Sequence, residues 1–197
     1  MQFSSEKIGI LLKALRFAAE KHSRQRRKDP QQTPYINHPV LVAELLWNVG
    51  KEEDVPLIVA ALLHDTIEDT QTSPEEIESL FGPEVLSLVL EVTDDKNLPK
   101  VERKRLQVET APHKSLRAKR LKLADKISNI SDIGLATPKD WTMKRKREYL
   151  DWAEKVIAGL KGCNPNLEKM FERTLQEARV RLSHGGGIGD GDQLASF

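Results

Sequence analysis

The stretch Ala60-Ala61-Leu62-Leu63-His64-Asp65-Thr66-Ile67-Glu68-Asp69-Thr70 constrains the chain more than any other. Ala61, Leu62, Leu63 and Ile67 recur at helical spacing, which predicts one helix from about Val55 to Asp69. Its apolar body belongs in a core, yet four ionisable groups crowd its last two turns. A lone charge in a low-dielectric interior costs several kcal/mol or neutralises itself, so such groups pair with one another or bind a metal. On an ideal helix His64 and Asp65 sit about 100° apart and can grip one ion from two sides. Glu68 and Asp69 fall one turn further on, close to the same spot. A His-Asp dipeptide alone means little, and partners must be sought elsewhere.

The rest of the chain reads as helices separated by clear punctuation. An amphipathic helix runs from Ser5 to about His22. The basic, proline-broken segment Arg24 to Pro34 is a loop. Asn37 can cap a helix that ends at Gly50, with Pro39 in its first turn. Ser73-Pro74 starts a short helix closing at Gly82, and Pro83 to Val92 forms another. A charged helix spans about Lys100 to Thr110, and an apolar one Ser115 to about Leu135. Thr137-Pro138 is expected to cap a long helix through Trp141 and Tyr149 to Gly162, and Asn164-Pro165 to start a last one to about Leu182. Nothing alternates at period two long enough to demand a strand. The expectation is an all-α bundle of roughly nine or ten helices, one domain over 1–183 with a disordered Gly-rich tail over 184–197.

A second histidine and a third aspartate complete the set. His38 opens one helix, and Asp125 interrupts the apolar stripe Leu121-Lys122-Leu123-Ala124-Asp125-Lys126-Ile127. Taken singly, each has a bland reading: a helix-start histidine, a buried cap, an aspartate paired with a lysine. All four near the apolar faces of their own helices favour a metal. Two imidazoles and two carboxylates without a thiolate suit a catalytic Mn²⁺ or Fe²⁺ better than a closed structural zinc. The single cysteine, Cys163, excludes an internal disulfide and is assigned no chemistry. A net charge of +1 argues against general nucleic-acid binding, and no apolar run reaches the roughly 20 residues needed to span a bilayer. No secretory signal is visible, so a cytoplasmic setting is expected, with the oligomeric state open.

These residues carry a resemblance. His38, His64-Asp65 and Asp125 resemble the signature of HD-domain metal-dependent phosphohydrolases. The segments Pro34-Tyr35-Ile36-Asn37-His38-Pro39, Ala60 to Thr70, Glu91-Val92-Thr93-Asp94-Asp95 and Lys122 to Asn129 are similar to the hydrolase domain of RelA/SpoT proteins, above all the stand-alone small alarmone hydrolases, metazoan SpoT homologues among them. The resemblance implies hydrolysis of the 3′-diphosphate of (p)ppGpp to pyrophosphate and GDP or GTP with one Mn²⁺. It implies that His38, His64, Asp65 and Asp125 bind the metal and that Glu68 and Asp69 act on the attacking water. It assigns Arg27, Lys28, Asn129 and Tyr149 to the nucleotide. The segment Asp29-Pro30-Gln31-Gln32-Thr33 departs from the family's Ser-Gly pattern, which opens the choice of base. The alternative within the enzymes is an HD phosphohydrolase for a different nucleotide, (p)ppApp, a phosphate of NADPH type or a 5′-nucleotide, and an inactive nucleotide sensor is the reading from another class. The remaining length leaves no room for a synthetase. Trp47, Trp141 and Trp152 are expected in the core, and His22 and His113 carry no companion motif.

Overall fold

The computed structural model describes residues 4–135 and 140–184. Thr137-Pro138 and the Gly-rich tail from residue 185 lie outside the described residues. Within them the chain is all-α: α1 (Ser5–Lys21), α2 (Asn37–Glu44), α3 (Val55–Leu63), α4 (Thr66–Asp69), α5 (Pro74–Phe81), α6 (Pro83–Val92), α7 (Lys100–Thr110), α8 (Leu116–Leu135), α9 (Met143–Ala158) and α10 (Pro165–His184). The extended pairing among the described residues is one isolated antiparallel bridge, Arg26 with Pro34.

Local chemistry places most of the ends. Ser4, Asp54, Ser73 and Thr142 each accept a backbone N–H in the first turn of α1, α3, α5 and α9; such caps contribute about 1 kcal/mol apiece. Gly82 turns the chain between α5 and α6 at φ +87°, a left-handed conformation that disfavours a side chain. At Gly50 a Cβ would meet the Leu46 carbonyl at 2.7 Å and Leu167 at 3.2 Å, so the chain closes there only because no side chain is present. α2 runs on through a π-helical turn, Leu45–Val49, into that glycine.

Two expected boundaries are corrected. Asn37 does not cap α2 with its side chain; it is already the first helical residue. The long helix expected from Thr137-Pro138 begins instead at Met143 behind Thr142, which leaves Trp141 outside it.

α3 runs through the centre, packed by α1, α2 and α6, and everything from Leu57 to Leu63 is buried. Burying such large apolar side chains is worth roughly 1.5–3 kcal/mol each. The helix therefore delivers its C-terminal end, and His64, into the interior. α8 crosses the same region and packs along α10. Its middle is closed off so thoroughly that Lys122, Asp125, Lys126 and Ser128 are buried as well as its apolar positions.

Candidate active site

The single helix expected over Val55 to Asp69 is broken, and the break builds the site. The Thr66 hydroxyl donates to the Leu63 carbonyl at 2.7 Å, and His64 Nδ1 lies 2.7 Å from the Ala61 carbonyl. Side chains thus take carbonyls that backbone N–H groups would otherwise claim, and α3 stops. Asp65 sits at φ −99°, ψ −3°, and α4 restarts at Thr66, with Asp69 N–H on the Asp65 carbonyl at 2.8 Å.

A carbonyl can only accept, so His64 Nδ1 carries the proton and its Nε2 faces inward. That Nε2 is buried without a hydrogen-bond partner, although Asp65 Oδ2 lies 3.0 Å away, off the line a hydrogen bond needs. His38, in the first turn of α2, contacts the Ser128 hydroxyl through Nδ1 at 2.9 Å and turns Nε2 to the same point. From His38 Nε2, Asp65 Oδ2 is at 3.5 Å and Asp125 Oδ1 at 3.3 Å; Asp125 Oδ1 is 3.9 Å from His64 Nε2. Ligand atoms of His38, His64 and Asp65 all fall within 4.8 Å of one another. An ion bonded at about 2.1 Å needs neighbouring donors about 3.0–3.5 Å apart, so the spacing fits a divalent cation with mixed nitrogen and oxygen ligands.

The electrostatics agree. Burial favours neutral imidazoles and prevails at His38, whose pKa is lowered; at His64 the carboxylate of Asp65 overrides it and holds the ring at about 9. Burial alone would raise the Asp65 and Asp125 carboxyls, but His64 beside the first and Lys126 beside the second hold both well below the ordinary carboxylate range. Two carboxylates, buried at Asp125 and half-buried at Asp65, thus stay ionised beside the two imidazoles. Outer contacts hold the donors in place: the Tyr35 hydroxyl donates to Asp65 Oδ2 at 2.6 Å, Lys126 Nζ to Asp125 Oδ2 at 3.0 Å, and Asn129 Nδ2 to Asp125 Oδ1 at 2.5 Å.

Glu68 and Asp69 stand beside this centre. Glu68 accepts the Asp94 N–H at 3.1 Å and lies 3.5 Å from Lys96 Nζ and 3.6 Å from an Arg103 nitrogen. Burial pushes its carboxyl up, with the like charges of Asp65 and Asp94 adding to the effect. Asp69 accepts from Gln25 at 2.9 Å and Lys96 at 2.6 Å.

A pocket of about 420 Å³ adjoins the centre, and Arg27, Lys28, Asp69, Asn129 and Tyr149 all line it. The bridge between Arg26 and Pro34, with Arg27 N–H on the Thr33 carbonyl at 2.8 Å, folds the basic loop back so that Arg27 enters the pocket. There its guanidinium makes two hydrogen bonds to Asp132 and lies 5.6 Å from the Tyr35 ring. Lys28 is exposed at the wall, and Tyr149 stands between Trp141 and Trp152, its hydroxyl pushed by burial to about 12.

Several residues of the site were not singled out from the sequence. Asp132 is the charge partner of Arg27, and the signal was present: Asp125, Asn129 and Asp132 lie at i, i+4 and i+7 of α8. Trp141, expected in the core, packs against it half-buried and also lines the pocket, with Arg145 4.2 Å above its ring. Trp47 and Trp152 are half-buried against the core, and Cys163 is buried with its thiol pushed up to about 11.

The family model described as "HD domain" matches residues 14–159. The chain belongs to the HD-domain family. Within it, the chain is 55% identical over 178 residues to the Xenopus tropicalis protein named guanosine-3′,5′-bis(diphosphate) 3′-pyrophosphohydrolase MESH1, covering 90% of this chain and 99% of that one. It is 53% identical over 172 residues to the Homo sapiens protein of that name, covering 87% and 96%. Among solved HD-domain structures it matches a metazoan ortholog of SpoT described as hydrolysing ppGpp, with a TM-score of 0.85, 47% identity, and coverage of 90% of this chain and 98% of that one. No helix among the described residues is long and apolar enough to cross a membrane.

Proposed function

We propose that this chain hydrolyses the 3′-diphosphate of ppGpp or pppGpp, giving pyrophosphate and GDP or GTP, with Mn²⁺ held by His38, His64, Asp65 and Asp125. The observation that carries the reading is the inward, unpartnered Nε2 of His64, with two carboxylates and a second imidazole around it, beside a nucleotide-sized pocket. The names of the relatives support the reaction, and the mixed nitrogen and oxygen donors support manganese. An ion held by these four side chains would supply Lewis acidity for the hydrolysis.

The chain's own groups do the rest. Glu68 takes the proton of the attacking water while Asp69 beside it orients that water, and the raised carboxyl of Glu68 makes it a stronger base than an exposed glutamate. Arg27, its guanidinium fixed by Asp132, offers a flat cationic face to the purine. Lys28 draws in phosphate, Asn129 bridges Asp125 and Arg27 at the pocket floor, and Tyr149 forms the wall. Residues 1–183 act as one hydrolase domain in a cytoplasmic setting, on a nucleotide and not on nucleic acid.

A second reading, an adenine alarmone, draws on the altered loop. There the Asp29 carboxylate accepts from the N–H and the hydroxyl of Thr33 and so sets the path of the loop beside Lys28 at the pocket wall. The deciding experiment offers ppGpp, ppApp and NADPH side by side with Mn²⁺ and chelator controls. Chelator-sensitive pyrophosphate from ppGpp supports the first reading, and from ppApp alone the second. No metal-dependent product from any of them refutes both.

A further inference from the structure

His22 is buried, 2% exposed, at the end of α1, and nothing in the reaction described above uses it. Its Nε2 has no hydrogen-bond partner. An imidazole with one nitrogen orphaned in the interior is a poor choice for packing alone, because an apolar ring would fill the space without a buried polar atom. Its other nitrogen explains its presence. Nδ1 lies 2.6 Å from Gln25 Oε1, and the Nε2 of that same amide donates to Asp69 Oδ2 at 2.9 Å.

The hydrogen-bond directions along this chain are forced. The Asp69 carboxylate only accepts, so the amide must turn its NH₂ toward it. That leaves the amide oxygen facing His22, and an oxygen there requires a proton on Nδ1. Were the amide flipped, an oxygen would confront a carboxylate and an NH₂ would confront an N–H. The His22 ring also packs against Tyr35, with centroids 4.8 Å apart, which fixes the imidazole plane.

We infer that His22 is a positioning residue: through its Nδ1–H it locks the Gln25 amide, which in turn aims Asp69 into the pocket for the hydrolytic step. The inference rests on the reading of Asp69 given under the proposed function. Leucine at this position would fill much of the ring's volume but strip the amide oxygen of its donor, so that the Gln25 side chain is no longer held at both ends and can swing away from Asp69. Asparagine would restore an N–H close to the position of Nδ1.

The experiment uses the full chain loaded with Mn²⁺ and ppGpp as substrate. His22→Leu is expected to lower kcat about 10- to 100-fold, the range typical of partners that orient reactive groups, with KM within about threefold and metal content unchanged. His22→Asn should recover most of that loss. In a Gln25→Met background, His22→Leu should add nothing, because the two act as one unit. Full kcat in His22→Leu, equal losses in the leucine and asparagine variants, or additive losses with Gln25→Met would each overturn the inference. A ring ¹⁵N spectrum supplies a readout independent of turnover: His22 should be the Nδ1–H tautomer, and its signal should shift in Gln25→Met. An Nε2–H tautomer overturns the inference. An Asp69→Asn variant with full kcat would instead remove the role assigned to Asp69 and leave the His22–Gln25 bond to be judged by the spectrum.

Discussion

Replacing Glu68 by glutamine separates proton transfer from metal binding. The glutamine keeps the shape and an oxygen for the Asp94 N–H, now at 3.1 Å. It gives up the ion pairs to Lys96 and Arg103 at 3.5 and 3.6 Å, long contacts of a kind worth about 0–1 kcal/mol each. The fold should therefore survive. What disappears is the base: losing general-base assistance costs about 10²- to 10⁴-fold, or about 2.7–5.4 kcal/mol of barrier. The assay is single-turnover pyrophosphate release from ppGpp under saturating Mn²⁺, with bound metal counted in the same sample. One ion per chain, KM within about threefold and the stated fall in rate are expected. The sign of the pH dependence follows from the raised carboxyl. Glu68 works ionised, so activity should rise with pH along an acid limb lying above about 4.3, the ordinary glutamate value. The glutamine variant should lack that limb. Activity within threefold of the parent, or loss of the metal, would refute the reasoning: the first denies the base, the second makes Glu68 a ligand.

Arg27→Ala should raise KM about tenfold and lower kcat less, since a stacking cation contributes mainly uniform binding; steady-state kinetics decide, and a pure kcat effect contradicts stacking. His64→Ala and Asp65→Ala should lose metal and turnover together, as read by metal analysis beside the activity assay. Manganese at a hundredfold excess over its Kd should stabilise the fold by about 2.7 kcal/mol, a rise in Tm of roughly 5–11 °C for a chain of this size, whereas Asp125→Ala should show almost none of it in a thermal melt. Cys163, with its thiol at about 11, is only about 0.1% thiolate at pH 8, so native protein should alkylate slowly and unfolded protein fast by mass spectrometry.

How far the sequence reached depended on whether the physics was local. Ser73-Pro74, Gly82 and Gly50 punctuate helices by short-range chemistry, and the structure keeps those ends. His38, His64, Asp65 and Asp125 were legible because each is a polar residue on an apolar face, an anomaly that survives without coordinates. The break after Leu63 was not legible. It depends on Thr66 and His64 side chains winning carbonyls from the backbone, a contest that periodicity does not register. Asp132 lay on the readable stripe of α8, but its meaning comes from Arg27, 105 residues away in the chain. Trp141 was expected in the core as part of the series Met143, Tyr149 and Trp152, and it does pack against the core half-buried; that it also lines the pocket was not legible from that series. His22 lacked an obvious companion because Gln25 is not itself a reactive side chain.

The most direct measurement titrates Mn²⁺ into metal-free protein and follows bound ion and pyrophosphate release from ppGpp in the same sample. The expected result is a rate proportional to occupancy that saturates at one ion per chain, with GDP and intact pyrophosphate as products. Full turnover in the metal-free protein, a rate that tracks a second ion, or orthophosphate as the first product would contradict the account.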